Sequence, residues 1–230
     1  MADKDYQKYH RITQLIVFEI ISWYGRRIKR HNTKLRIRKE PILLDIGSGN
    51  NFRQNWIHAD FFQLPRLKFW KKYPNRNRPE LELDLRYPIN CPDNIVDGIY
   101  SGHTLEHLYP NEAEALLKEI FRILRPSSWL RINVPDIEIA VNFYVGKNNI
   151  FQDCTGCEII SDFCQNWGHR SAWDETLLKK KLQLIGFINV KKVEFGKGGT
   201  DKRLIKEEKV RENVTLVMEA QKPANNQKSL

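Results

Sequence analysis

The stretch Ile42-Leu43-Leu44-Asp45-Ile46-Gly47-Ser48-Gly49-Asn50 decides the fold. Pro41 opens it, the run from Ile42 to Ile46 is apolar apart from Asp45 and shows no helical period, and two glycines close it. A short apolar run bounded by proline and glycine predicts a buried strand feeding a tight turn. Moving outward, Trp56–Asp60 reads as a second strand and Leu81–Leu85 alternates like a third. The turn at Asp93-Asn94 leads into a fourth, Ile95–Ser101. Asn111–Leu124 has helical spacing and is stopped by Arg125-Pro126, and Trp129–Val134 is a strand ended by Pro135-Asp136. A less regular stretch follows. Glu175–Leu184 then reads as a helix capped by Gly186, with strands at Phe187–Phe195 and Val214–Ala220. The Lys- and Glu-rich segment Gly196–Asn213 predicts an exposed loop. Strands alternating with helices predict an α/β domain over residues 41–220, built on an open, mostly parallel sheet with helices on both faces.

The remainder of the chain is a basic, helical extension over residues 1–40 and a flexible tail from 221 to 230. Within the extension, Ile12, Leu15, Ile16, Glu19, Ile20 and Trp23 recur at helical spacing across residues 9–30, and the helix ends in Arg26, Arg27, Lys29 and Arg30. Two uses of it are open: packing on the domain over a ligand site, or lying on a membrane surface. The net charge of +10 is concentrated. Residues 1–40 carry 11 Lys/Arg against 4 Asp/Glu, and residues 61–80 carry 6 against Glu80, leaving the rest slightly negative. Two basic blocks, which include Lys71 and Lys72, suit an anionic partner such as a membrane or RNA, or a solvated face without one. The start Met1-Ala2-Asp3-Lys4-Asp5 has acids where a secretory signal is basic, and the apolar run Leu15–Trp23 is too short to span a bilayer. A cytoplasmic location, peripheral to the membrane where the basic helix lies on it, is the expectation. Cys91, Cys154, Cys157 and Cys164 are then expected to be reduced. Cys154-x-x-Cys157 with Cys164 and His169 matches no common zinc-finger spacing, so no metal is expected.

Asp45, Asp60 and Asp84 each end, or nearly end, a predicted strand, which brings them to one edge of the sheet, where ligands bind in such folds. Taken singly, each is as well explained as a turn or helix cap. Their order resembles the class I S-adenosylmethionine-dependent methyltransferases, of the small type 11-like group. The resemblance rests on Leu44-Asp45-Ile46-Gly47-Ser48-Gly49, on Asp60, and on Leu83-Asp84-Leu85 with the Pro88 to Asn94 turn. It continues through Ile99–Leu108, with its His-x-x-Glu-His segment, and Ile123-Leu124-Arg125-Pro126. It is strong over residues 41–136 and weaker to 220, where Gly168-His169-Arg170 through Trp173-Asp174 extends it. Two departures stand out: Asn51 replaces a third glycine, and the chain between loop and Asp60 is too short for a full helix.

The resemblance implies a Rossmann-like, mostly parallel seven-stranded sheet whose last strand is antiparallel. It implies S-adenosyl-L-methionine as cofactor, with Asp45, Gly47 and Gly49 under the methionine part, Asp60 on the ribose, Asp84 and Leu85 on the adenine, and Ser101 and His103 beside the sulfonium. Methyl transfer from a sulfonium needs alignment more than a base; where a hydroxyl is the acceptor, His103, His107 and His169 are the candidates to take its proton. Ser101-Gly102-His103 stands where many amino-directed nucleic-acid methyltransferases carry Asn/Asp-Pro-Pro-Tyr, which points to O- or N-methylation of a small-molecule, sugar or lipid-linked acceptor. Two other readings use the same residues. His103-Thr104-Leu105-Glu106-His107 matches the H-x-x-E-H zinc-peptidase motif, with Glu175 available as third ligand. A non-catalytic or RNA-binding module on the same fold is the other.

Overall fold

The computed structural model describes residues 12–28, 35, 41–62, 78–207 and 209–224. Seven strands form one sheet: β1 (Leu43–Ile46), β2 (Trp56–Asp60), β3 (Leu81–Glu82), β4 (Val96–Gly102), β5 (Leu124–Pro135), β6 (Ile188–Lys192) and β7 (Thr215–Gln221), in the order β3-β2-β1-β4-β5-β7-β6. The pairs among β1 to β5 are parallel, whereas β7 runs antiparallel to both β5 and β6. The Rossmann-like arrangement with an antiparallel last strand is thus the one observed. Strand order reverses between β1 and β4, and the crevice beyond their carboxyl ends is where a ligand can enter.

Burial explains the strands. All four β1 residues are buried, as expected of a parallel strand covered on both faces. One face packs against α2 (Pro110–Ile123) and α5 (Glu175–Ile185). In α2, Ala113, Leu116, Leu117, Ile120 and Ile123 make the buried stripe, Pro110 starts the helix, and the Glu112 carboxylate accepts from the Tyr109 N–H at 2.9 Å. Asp174 caps α5, and Gly186 ends it in the left-handed conformation, as its sequence predicts.

Several expectations are corrected. Strand β3 is only two residues long, because the turn closed by the Tyr87 N–H on the Asp84 carbonyl takes the chain away. The stretch after β5 holds two helices, α3 (Ile137–Tyr144) and α4 (Gly156–Gln165), capped by Asp136 and Thr155. Helix α1 (Ile12–Arg27) presents a different face from the one its periodicity suggests: Leu15, Ile16, Val17, Ile20 and Trp23 are exposed, and Ser22 and Gly25 are buried. Ser22 donates to Asp84 at 2.6 Å, Glu19 pairs with Arg86 at 2.5 Å, and Phe18 stacks on Phe61. Gly25 lets the helix approach the Phe62 ring, which a Cβ there would meet at 2.2 Å, and Ser22 satisfies the buried Asp84 carboxylate, which an apolar side chain could not. Lys29, Arg30, Lys71 and Lys72 of the basic blocks lie outside the described residues. Among those described, no helix is long and apolar enough to cross a membrane.

Candidate active site

A cavity of about 580 Å³ opens at the carboxyl end of β1 and β4, lined among others by Asp45, Gly47, Gly49, Tyr100, His103 and Asn133. The volume suits a ligand the size of a nucleoside conjugate. The loop after β1 is its floor. Gly47 and Gly49 have φ of +71° and +57°, and a side chain at Gly47 would place its Cβ 2.1 Å from Thr104 Oγ1. At Gly49 the space beyond the backbone is open, so the glycine leaves room where a ligand can approach the main chain. The loop is tied to β2: Gly47 and Ser48 donate to the Ala59 carbonyl, and the Gly49 N–H donates to Asp60 Oδ2 at 2.9 Å. Ser48 Oγ and Asn133 Oδ1 of the lining, and Ser101 Oγ at the end of β4, are buried polar atoms with no hydrogen-bond partner among the described residues. Such atoms ordinarily have one, so their lack of partners marks a place prepared for a polar ligand.

The cavity's most informative residue was not foreseen. Lys206 is buried, and its ammonium donates to Asp45 Oδ2 and to the Asn51 carbonyl. Burial raises the Asp45 carboxyl above the ordinary range, and Lys206 opposes that rise. Lys206 belongs to the charged segment expected to be an exposed loop. Most of the described residues of that segment are exposed, as expected, but Leu204 and Lys206 are buried. Leu204 packs with Leu43, Trp56 and Tyr100 on the sheet. Arg53 donates to the Ile205 carbonyl at 2.7 Å, and fully buried Arg131 of β5 pairs with Glu207 and, at 2.6 Å, with Glu219.

The other predicted residues separate into groups. Asp60 sits beside the glycine loop, its Oδ1 accepting from the Phe61 N–H at 2.6 Å. Asp84 is buried and engaged: Arg86 contacts it at 2.6 Å and Ser22 donates to it, and although burial pushes its carboxyl up, these hydrogen bonds hold it below the usual range. Asp84 therefore fastens α1 to the domain, and Leu85, half-buried, follows it. Ser101 is buried at the end of β4. His103 lines the cavity with φ of +51°, a strained conformation for a histidine. Its Nε2 is 3.0 Å from Thr215 Oγ1, and its Nδ1 is 3.2 Å from Glu106 Oε1. His107 and His169 do not line the cavity; their rings meet edge to face at 5.1 Å. Desolvation holds His107 below the usual histidine range.

The peptidase reading needs both histidines of the motif on one regular helix. Here Leu105–His107 is a single 3-10 turn with His103 outside it, so that scaffold is missing. The cysteines do not converge either: Cys154 and Cys157 are exposed at the start of α4, Cys91 is buried far along the sequence, and all are free.

Residues 44–132 match the family model described as a methyltransferase domain. No curated protein matches the chain in sequence. Among solved structures, the chain is similar to a SAM-dependent methyltransferase from Archaeoglobus fulgidus, at 19% identity over 89% of this chain and 94% of that one, with a TM-score of 0.48. It is also similar to the phosphoethanolamine N-methyltransferase 2 of Haemonchus contortus, at 11% identity over 95% of this chain and 60% of that one, with a TM-score of 0.47.

Proposed function

We propose that the chain, whose residues 44–132 match a methyltransferase-domain model, transfers a methyl group from S-adenosylmethionine to a hydroxyl or amine of a small-molecule, sugar or lipid-linked acceptor. The observation that carries this reading is the cradle: a loop open above Gly49, fixed by Asp60, facing a cavity with unpartnered Ser48 and Asn133 oxygens. These residues fit the cofactor. The backbone of Gly47 to Gly49 would lie under its methionine part, and the Asp45–Lys206 pair offers one negative and one positive group to an ammonium and a carboxylate. Asp60 keeps acceptor capacity for ribose hydroxyls, since each carboxylate oxygen accepts more than one hydrogen bond. Asp84 is committed to Arg86 and Ser22, so an adenine contact falls to Leu85 and the backbone.

The bound cofactor supplies a methyl group already activated for displacement. The chain has to align the acceptor and exclude water. His103 is the imidazole at the cavity, held with Nδ1 beside Glu106 and Nε2 beside Thr215 Oγ1, and it is the side chain we assign to take a proton from an acceptor hydroxyl. The exposed apolar face of α1, with Arg26 and Arg27 at its end, supports an acceptor presented at an anionic membrane surface.

Calorimetry with S-adenosylmethionine tests the reading. Wild type is expected to bind, and Asp60→Ala to bind roughly 10-fold to 100-fold more weakly, as the loss of a charged hydrogen-bond acceptor predicts. Absence of binding by the wild type would sink the proposal. A screen of hydroxylated and amine acceptors with labelled methyl donor then identifies the substrate.

A further inference from the structure

Outside the cavity lining three side chains converge, of which only Glu106, through His103, touches the reaction described above. Glu106, His107 and His169 each bring one ligand-type atom to within 4.8 Å of the others. They come from two segments, His169 lying 62 residues after His107, and the backbone holds those segments together. The Glu106 carbonyl accepts from the Arg170 N–H at 2.7 Å and the Ser171 N–H at 3.2 Å, and Ser171 Oγ donates to the Leu105 carbonyl at 3.2 Å. Trp173 Nε1 in turn donates to Ser171 Oγ at 2.9 Å.

The side chains are prepared in the way metal ligands are. His169 Nδ1 lies 2.7 Å from the Phe163 carbonyl. A carbonyl only accepts, so that nitrogen carries the proton and a neutral ring keeps its lone pair on Nε2. The His107 ring lies edge to face on that of His169, with centroids 5.1 Å apart. Glu106 is the telling member. Its side chain is 2% exposed, yet neither carboxylate oxygen has a hydrogen-bond partner among the described residues, and the ion-pair contact with His103 engages only one of them. A buried carboxylate is normally paired, hydrogen-bonded or bound to a metal.

We propose that Glu106, His107 and His169 bind a divalent transition-metal ion of the zinc class, with Glu106 as its anionic ligand. Two imidazoles and one carboxylate are a set such ions accept, and three protein ligands leave a coordination position open to water or to an oxygen of the acceptor. Glu106 then touches His103 through one oxygen, which links the ion to the edge of the cavity. This is a different set from the one the peptidase motif would use, since His103 is not a ligand.

The test is metal binding by the full chain, measured without cofactor or acceptor. Chelator-stripped wild type, dialysed against zinc, is expected to retain one zinc per chain by elemental analysis. Cobalt(II) in its place is expected to show visible ligand-field bands of a low-coordinate site. Glu106→Gln and His169→Ala should weaken zinc binding by more than roughly 100-fold, beyond what losing an outer partner of a ligand costs. The double variant Cys154→Ser/Cys157→Ser should retain the ion. Failure of the wild type to hold zinc or cobalt overturns the proposal, as does binding that survives Glu106→Gln and His169→Ala and vanishes in the cysteine variant. The wild-type cobalt spectrum answers the question even where a variant does not fold. S-adenosylmethionine affinity, measured separately by calorimetry, shows whether the methyltransferase reading stands or falls on its own.

Discussion

Lys206 and Asp45 are almost fully removed from water, with side-chain exposures of 2% and 1%. Removing one partner of such a pair leaves a buried charge, at a cost of about 3–5 kcal/mol. Lys206→Met is therefore expected to lose stability of that order at pH 7 in urea unfolding. The sign with pH follows from Asp45, whose folded carboxyl is raised by burial and lowered by Lys206. Without the lysine its folded value rises further above the unfolded one, so the neutral form is favoured in the native state. Stability of the variant should then recover as pH falls through the raised folded value, and the gap to wild type should be smaller at pH 5 than at pH 7. A gap unchanged across that range would mean that Asp45 is not the group left unpaired. At His103, replacement by Ala should lower kcat by roughly 100-fold or more where the acceptor is a hydroxyl, with cofactor affinity measured by calorimetry nearly unchanged. Both residues differ in how far the sequence announces them. His103 follows a buried strand in a recognisable segment, and its place at the cavity could be read from that context. Lys206 lies 161 residues from Asp45 in a segment rich in lysine and glutamate, and no local pattern distinguishes it from its exposed neighbours.

Among the elements, α1 shows how periodicity can name a helix and mistake its face. Its apolar stripe was the natural candidate for burial, yet the docking contacts are polar and aromatic: Ser22 and Glu19 on Asp84 and Arg86, Arg26 over the Tyr87 ring at 3.7 Å, and Phe18 on Phe61. Arg86 is the hub. Arg86→Ala strips the buried Asp84 carboxylate of its main partner and is expected to cost about 2–3 kcal/mol. The expected signature is release of the helix, seen as faster amide exchange and trypsin cleavage at Arg26 and Arg27 while β1 to β5 remain protected. Asp84 also makes this contact pH-dependent. Its folded carboxyl is depressed below the ordinary 3.8, so the stabilisation is present above that value and lost as pH falls through the folded one. Elements with strong signals matched closely. Strand β2 runs from Trp56 to Asp60 as its apolar run indicates, and α2 is displaced by one residue at each end. Helices α3 and α4 escaped notice for physical reasons. In α3, Ile137-Glu138-Ile139-Ala140-Val141 is apolar on nearly all sides, and α4 is only 10 residues long between turns.

At the scale of the molecule, the edge that holds the crevice could be read from acids at strand ends because a parallel sheet exposes all its carboxyl ends on one edge. Asp84 reaches that edge too, where its carboxylate also accepts from Ser22 of α1. That contact has a consequence for the whole surface. With the polar edge of α1 turned inward, Leu15, Ile16, Ile20 and Trp23 face outward at 43–59% exposure, next to Arg26 and Arg27, on a chain of net charge +10. Water gains nothing from such a stripe, whereas a lipid interface accepts the apolar side chains and anionic head groups attract the arginines. Under the proposed reading, the protein should sediment with vesicles containing phosphatidylserine and much less with vesicles of phosphatidylcholine alone. Raising salt should weaken binding without abolishing it, because screening affects the charges and not the buried apolar area. Ile16→Glu combined with Ile20→Glu should remove the salt-resistant part and leave the fold intact, since neither side chain is part of the core. Equal binding to both vesicle types, or binding indifferent to these two substitutions, would place the anionic partner elsewhere, and salt-sensitive retention of RNA by the same protein would identify it.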